Sequence, residues 1–334
     1  MEQEKFPEMN IISNANDVFQ NEECKVMRLM NETGEGTMTI YQVLEGVYIM
    51  YNNFHMKECK TDFNSADDFL CIDHCREGQI ETCDREGNNC SLTAGELRVD
   101  DGTHNNGTST FPLNHYYGIT IGFELNKANK ALKGYVPDFS VSAEDILRKY
   151  CRQSKPYVIA SAPEVNHIFS ELYNVPASIK HEFYKIKILE LLLYLSALEI
   201  DKYKVEKPYF YKGDIEKIRA IHKLMTTNLN RIYTIEELAQ KFDINVTALK
   251  KCFRNEYGTP VFTYMKKYRL NTAAVLLKHN KELKISEIAE RVGYTSASKF
   301  SAAFAREMGR TPLEYRRYGA LKEVLNDTDT NLHV

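Results

Sequence analysis

The feature that most limits what this chain folds into is a repeat inside its last third. Ile235, Leu238, Ala239 and Phe242 recur as Ile285, Ile288, Ala289 and Val292, an offset of 50. Past a short turn the offset becomes 51: Leu249 recurs as Phe300, Phe253 as Phe304, Gly258 as Gly309 and Tyr264 as Tyr315. Each copy predicts two short helices joined by a tight turn, over about 234–257 and 285–308. In the second copy Ile285, Ile288, Ala289 and Val292 share one helical face. Ser286 is the expected N-cap, with the Glu287 carboxylate favoured in the first turn. Gly293 ends that helix, and another runs from about Ser296 to Met308 with Phe300, Ala303 and Phe304 inward. Such a pair, turning small polar and basic residues outward, has the geometry that enters a DNA major groove. Between the copies a longer helix, Val261 to Leu277, is expected to hold the two heads at fixed separation.

This tandem resembles the AraC/XylS family of transcription regulators. The resemblance is carried by IEELAQKF, LKKCFRNEYGTP and FTYMKKYRL in the first copy, and by ISEIAERVGY, KFSAAFAREMG and TPLEYRR in the second. It covers about 213–318. It implies a sequence-specific DNA-binding regulator, an activator more often than a repressor, with promoter DNA and RNA polymerase as partners. Base-edge readers are then expected at Thr247, Lys250 and Lys251, with Arg254 beside them, in the first recognition helix. In the second they fall at Ser298, Lys299 and Ala302, with Ser296 at the helix start. Lysine donates to guanine O6 and N7, and threonine meets a thymine methyl. Ala302 offers only a methyl where family members often carry a long polar side chain. Much of the direct reading in that half therefore falls to Lys299, and phosphate anchoring or shape readout can dominate there.

Charge agrees with this division. The formal net charge is −3. Residues 209–318, however, hold 21 Lys and Arg against 11 Asp and Glu. A basic third on an acidic remainder suits one module that meets nucleic acid. The start of the chain has no signal-peptide pattern and no apolar run reaches spanning length, so a cytoplasmic protein without membrane contact is expected.

The fold class expected is α+β and multidomain: a cupin-like β-barrel or sandwich with helices, then an all-α tandem helix-turn-helix region. Residues 1–137 form the β-rich part, expected to sense an effector. Its first 36 or so form an arm, partly disordered or with a short helix around Asp17 to Phe19. Strands are predicted at Met38 to Val43, Val47 to Met56, Phe69 to Cys75, Leu97 to Val99 and Tyr116 to Phe123. Gln79 to Cys83 is expected to fold back across Arg76-Glu77-Gly78. The cupin assignment rests on the family resemblance and strand texture. Residues 138–205 are a helical linker and pairing region, 209–318 the DNA-binding domain, and 319–334 a flexible tail. His181 to Ile200 is apolar nearly all round, so it must be buried on two sides. Packing against its own β-domain accounts for that. The resemblance adds a second subunit, with Ile188, Leu191, Leu192 and Leu195 on the homodimer helix. Tyr48, Tyr51, Phe54 and Tyr116 are candidates to line a pocket for a small organic effector, or simply to pack the β-core.

No catalytic set, metal or cofactor is expected. Six of the eight cysteines lie between Cys24 and Cys90, with His74 beside Cys75. No Cys-x-x-Cys spacing marks a zinc site, and small buried hydrophobes are the simpler role. Two competing readings follow: a cysteine-based alkyl acceptor or redox sensor, and a constitutive DNA-binding protein whose β-domain only dimerises.

Overall fold

A computed structural model describes residues 9–11, 15–21, 24–63, 69–83, 89–102, 107–151, 155–200 and 212–318. Residues 201–211, which include the end of the expected linker region, and the tail after Tyr318 lie outside these residues. The chain divides into two compact units, one ending at Val205 and the other beginning at Glu206.

The first unit opens with strands β1 (Met9–Ile11), β2 (Ala15–Gln20), β3 (Cys24–Asn31), β4 (Gly34–Leu44), β5 (Val47–His55), β6 (Glu58–Phe63) and β7 (Phe69–Cys83). Then come β8 (Asn89–Thr93), β9 (Leu97–Asp100), β10 (Gly107–Thr110) and β11 (Tyr116–Glu124). Helices α1 (Leu125–Tyr135) and α2 (Ala143–Tyr150) follow, then β12 (Tyr157–Ile159), α3 (Pro163–Leu172) and α4 (Lys180–Ala197). The strands make one antiparallel sheet in the order β1-β6-β10-β7-β11-β5-β4-β3-β2, with β8 and β9 also on β7 and β12 on β9.

The two faces of this sheet have different tasks, set by the period-2 alternation of strands. Val47, Ile49, Ile119, Ile121, Phe123, Leu70, Ile72, Leu97 and Val99 form one core with the buried faces of α1 to α4. Their neighbours on the same strands, including Met50, Phe54, Cys75 and Tyr116, form a second core with Leu29, Met38, Ile40 and Phe111. The sheet curls around that inner face and leaves a cavity there.

Three local expectations are corrected. The short helix around Asp17 to Phe19 is strand β2, and the described part of the supposed arm also holds β1 and β3, the latter paired along its length with β4. Mixed polar texture concealed both, because the ladder partner supplies the order. No hairpin forms at Arg76-Glu77-Gly78. Strand β7 runs straight through, with Arg76 as the extra residue of a bulge opposite Tyr117 and Gly118. Gly78 has φ +84°, and a Cβ there would lie 2.1 Å from the His115 carbonyl oxygen, so the glycine permits close approach of β11 rather than reversal. Helix α1 was not anticipated. Its buried residues, Leu125, Ala128 and Leu132, follow helical spacing but are few. Ser142 does cap α2 through a capping box with Asp145.

The second unit is all α: α5 (Lys212–Thr227), α6 (Ile235–Lys241), α7 (Val246–Tyr257), α8 (Val261–His279), α9 (Ile285–Arg291), α10 (Ala297–Met308) and α11 (Pro312–Tyr318). Helix α8 packs against α5 and α7 on one side and α9, α10 and α11 on the other. Its core residues Leu270, Ala273, Ala274 and Leu277 join Ile288, Ala289, Val292, Phe300, Phe304 and Tyr315.

Candidate nucleic-acid interface

Each repeat folds as helix, turn, helix, and the caps fix the entry of every helix. Thr234 caps α6: its hydroxyl accepts from the Glu237 N–H at 3.1 Å, and Glu237 accepts from the Thr234 N–H at 2.8 Å. In the second repeat the cap position falls at Lys284, two residues before Ser286. The Glu287 carboxylate accepts from the Lys284 N–H at 2.7 Å and so supplies the cap from inside the helix. Ser286 lies in the first turn, exposed. The recognition helices are capped by Asn245, which accepts from the Thr247 N–H at 2.8 Å, and Ser296, which accepts from the Lys299 N–H at 3.3 Å. Both end on a left-handed glycine, Gly258 and Gly309.

Burial then sorts the side chains of α7 and α10. Leu249, Cys252, Phe253 and Tyr257 face inward on α7, and Phe300 and Phe304 on α10. Thr247, Lys250, Lys251 and Arg254 are exposed together on α7. Ser298, Lys299 and Ala302 are exposed on α10, Arg306 continues that face, and Ser296 is half-buried at its cap. All eight predicted interface positions thus sit on or at the start of a recognition helix, and seven are open to solvent. A residue sequence reasoning passed over, Arg269 on α8, holds the loop after α5: its guanidinium donates to the Leu229 and Arg231 carbonyls at 3.2 and 3.1 Å.

Residues 238–318 match a family model described as a helix-turn-helix domain. This is an AraC-type helix-turn-helix domain. The AraC-type domain has relatives among curated proteins. The chain is 30% identical over 142 residues to an HTH-type transcriptional activator RhaR of Yersinia pestis bv. Antiqua (strain Angola), covering 42% of this chain and 48% of that one. It is 35% identical over 104 residues to the RhaR of Enterobacter sp. (strain 638), covering 30% and 36%. The chain thus spans about half the length or less of these curated relatives. Among solved structures, the C-terminal domain of AraT, a response regulator from Geobacillus stearothermophilus, is 33% identical with a TM-score of 0.29, covering 30% of this chain and 84% of that one.

Outside the AraC-type domain, the four aromatic candidates for an effector pocket separate. Phe54 and Tyr116 line the cavity of the curled sheet. Tyr51 faces the helices, donating to the Leu172 carbonyl at 2.7 Å with the Tyr184 hydroxyl 2.9 Å away. Tyr48 is in the inner core, not in the cavity wall, and donates to Glu124 at 2.6 Å. The polar floor of the cavity was not legible in the sequence. Arg98, only 2% exposed, donates to Asp73 at 2.6 and 3.1 Å and to Thr82 at 2.9 Å, with Asp100 at 3.0 Å. Burial pushes the Asp100 carboxyl up to about 7 against the pull of Arg98.

Ile188, Leu191, Leu192 and Leu195 are fully buried in the core of their own unit. They face their own unit, as a helix covering a sheet must, and are not open to a second subunit. The solvent-facing apolar residues of this region are Ile179, Ile186, Leu193 and Tyr194. Cys24, Cys59, Cys71 and Cys75 are buried, and burial pushes the Cys59 thiol up to about 12. Among the described residues no group of three or more His, Cys, Asp or Glu is placed to hold a metal. Among them, too, no helix is long and apolar enough to cross a membrane.

Proposed function

We propose that this protein is an effector-responsive regulator of transcription, an activator in the manner named for its RhaR relatives, that reads a bipartite promoter site with α7 and α10. The observation that carries this reading is the matched pair of capped recognition helices, each presenting its predicted readers outward. Helix α8 packs against both heads, which supports a fixed spacing; adjacent major grooves lie about 34 Å apart. The β-rich unit is the effector domain, and its cavity is the binding site. An effector acts only by binding two states unequally. Two copies pair through the outer stripe Ile186, Leu193 and Tyr194 on α4, and the DNA-bound dimer engages RNA polymerase in the cytoplasm. The burial of Cys24, Cys59, Cys71 and Cys75, with the Cys59 thiol raised, supports this reading over an alkyl acceptor, whose chemistry needs an accessible thiolate.

Selection of bound genomic fragments, followed by titration of the best fragment with Lys250→Ala and Lys299→Ala, tests it. A two-part site whose halves relax separately in the two variants is the expected result. Weak binding with a steep salt dependence and no sequence preference would remove the reading. Sedimentation of Leu193→Glu tests pairing: a dimeric parent and a monomeric variant are expected.

A further inference from the structure

Resting on the reading of the β-rich unit as an effector domain, we propose that its cavity takes an uncharged, compact, mainly apolar molecule bearing a hydroxyl group, about the size of phenol. The curled sheet encloses about 80 Å³. Its apolar wall includes Phe54, Phe111 and Tyr116, whose rings lie within 26° of parallel. Met38 and Met50 complete the wall, and their flexible thioethers adjust to a guest slightly larger than the void.

The polar floor decides charge. Arg98 is the cation at the cavity, and it stands between two carboxylates, Asp73 and Asp100. An anionic guest would meet Asp73 with no uncommitted positive charge to receive it. An unpaired charge of either sign is costly in such a site.

The hydrogen bonds decide the functional group. Thr120 has a single proton and gives it to Asp73 at 2.5 Å, so its oxygen must accept from the Asn52 amide NH₂ at 3.0 Å. That fixes the orientation of the amide and leaves the Asn52 carbonyl oxygen over. It is buried and has no partner among the described residues. The Tyr116 hydroxyl, on a side chain 2% exposed, likewise makes no hydrogen bond among the described residues. Gly118 makes room for it: a Cβ there would lie 2.4 Å from the hydroxyl oxygen. One ligand hydroxyl answers both needs, donating to Asn52 and accepting from Tyr116. A sugar carries many more hydroxyls than this wall can satisfy.

The test is calorimetric titration of the full-length protein with phenol, toluene, benzoate and glucose, with DNA affinity measured in parallel. Phenol is expected to bind, toluene about tenfold more weakly, and benzoate and glucose not detectably. Asn52→Leu should lower phenol to the level of toluene and leave toluene unchanged. Met50→Trp, which fills the void, should abolish phenol binding. The proposal is overturned if benzoate or glucose binds more tightly than phenol, if none of the four binds, or if neither variant changes phenol affinity. Phenol binding that behaves as expected but leaves DNA affinity unmoved upholds the ligand class and removes the effector reading instead.

Discussion

Asp243 and Gly293 hold the same place in the two helix-turn-helix units, and both are left-handed, at φ +48° and +85°. The turn between the helices therefore demands one conformation, met by aspartate in the first unit and glycine in the second. Aspartate is among the few side chains that tolerate it. A Cβ at position 293 would also lie 2.3 Å from the Leu229 carbonyl oxygen. Gly293→Ala is expected to cost about 3 kcal/mol or more, since strain and a backbone clash add. Asp243→Gly should change stability by less than about 1 kcal/mol. Urea denaturation of the two variants compares them directly.

Reading and anchoring are separable on the DNA side. Substituting a base-reading lysine costs about 1–3 kcal/mol and relaxes preference at one position, whereas a phosphate contact weakens all sequences alike and lowers the salt slope by about 1. Lys250→Ala is expected to behave in the first way. Ala302→Lys should raise affinity and steepen the salt dependence, because it adds a long basic side chain to the exposed face of α10. Binding titrations at several salt concentrations on intact and scrambled half-sites distinguish these outcomes.

Arg98→Met should destabilise the β-rich unit by about 3–5 kcal/mol, since it strands Asp73 and Asp100 without their cation. Asp100→Asn should cost less than Asp73→Asn. Burial holds the Asp100 carboxyl up to about 7, so it is partly protonated at neutral pH and the amide resembles that form. Thermal unfolding of the three variants at pH 7 gives the order.

His222 is stacked on Tyr257 at 4.5 Å and bonded to the Tyr264 hydroxyl at 2.8 Å, and burial depresses its pKa to about 4. An ordinary histidine titrates near 6.5, so between those values the unfolded chain binds more protons than the folded one. Stability should therefore fall as pH drops from about 6.5 to 4, by about 3 kcal/mol from this residue. His222→Phe should lose that part of the pH dependence in denaturation curves measured at pH 7 and pH 5.

The second unit was legible because a helix announces itself in local spacing. Ile235, Leu238, Leu249 and Phe253 needed no distant partner to be read, and the repeat supplied a second copy of each. The alternation of β5 and β11 was equally plain. Arg98 was not. Nothing in LRVD says that its arginine points inward, because the reason lies in Asp73, some 25 residues away, and in a sheet curl no local pattern records. Strand β3 and the unbroken course of β7 were hidden similarly, since register belongs to pairs of strands. The expected burial of His181 to Ile200 on two sides is not what forms: one side packs on the sheet, while Ile186 and Leu193 stay exposed, because a helix apolar all round carries no mark of its inner side.

Strand β5 has a consequence of its own. Met50, Asn52 and Phe54 look into the cavity, while Ile49 and Tyr51 look out to the helices, and Tyr51 is tied to the end of α3 and to Tyr184 of α4. Successive residues of a strand share one backbone, so the partition between the two compartments is a single peptide thick. Whatever shifts Asn52 shifts Tyr51 with it. A displacement of the cavity wall at Asn52 therefore lies one peptide unit from the hydrogen bond that Tyr51 makes with α4.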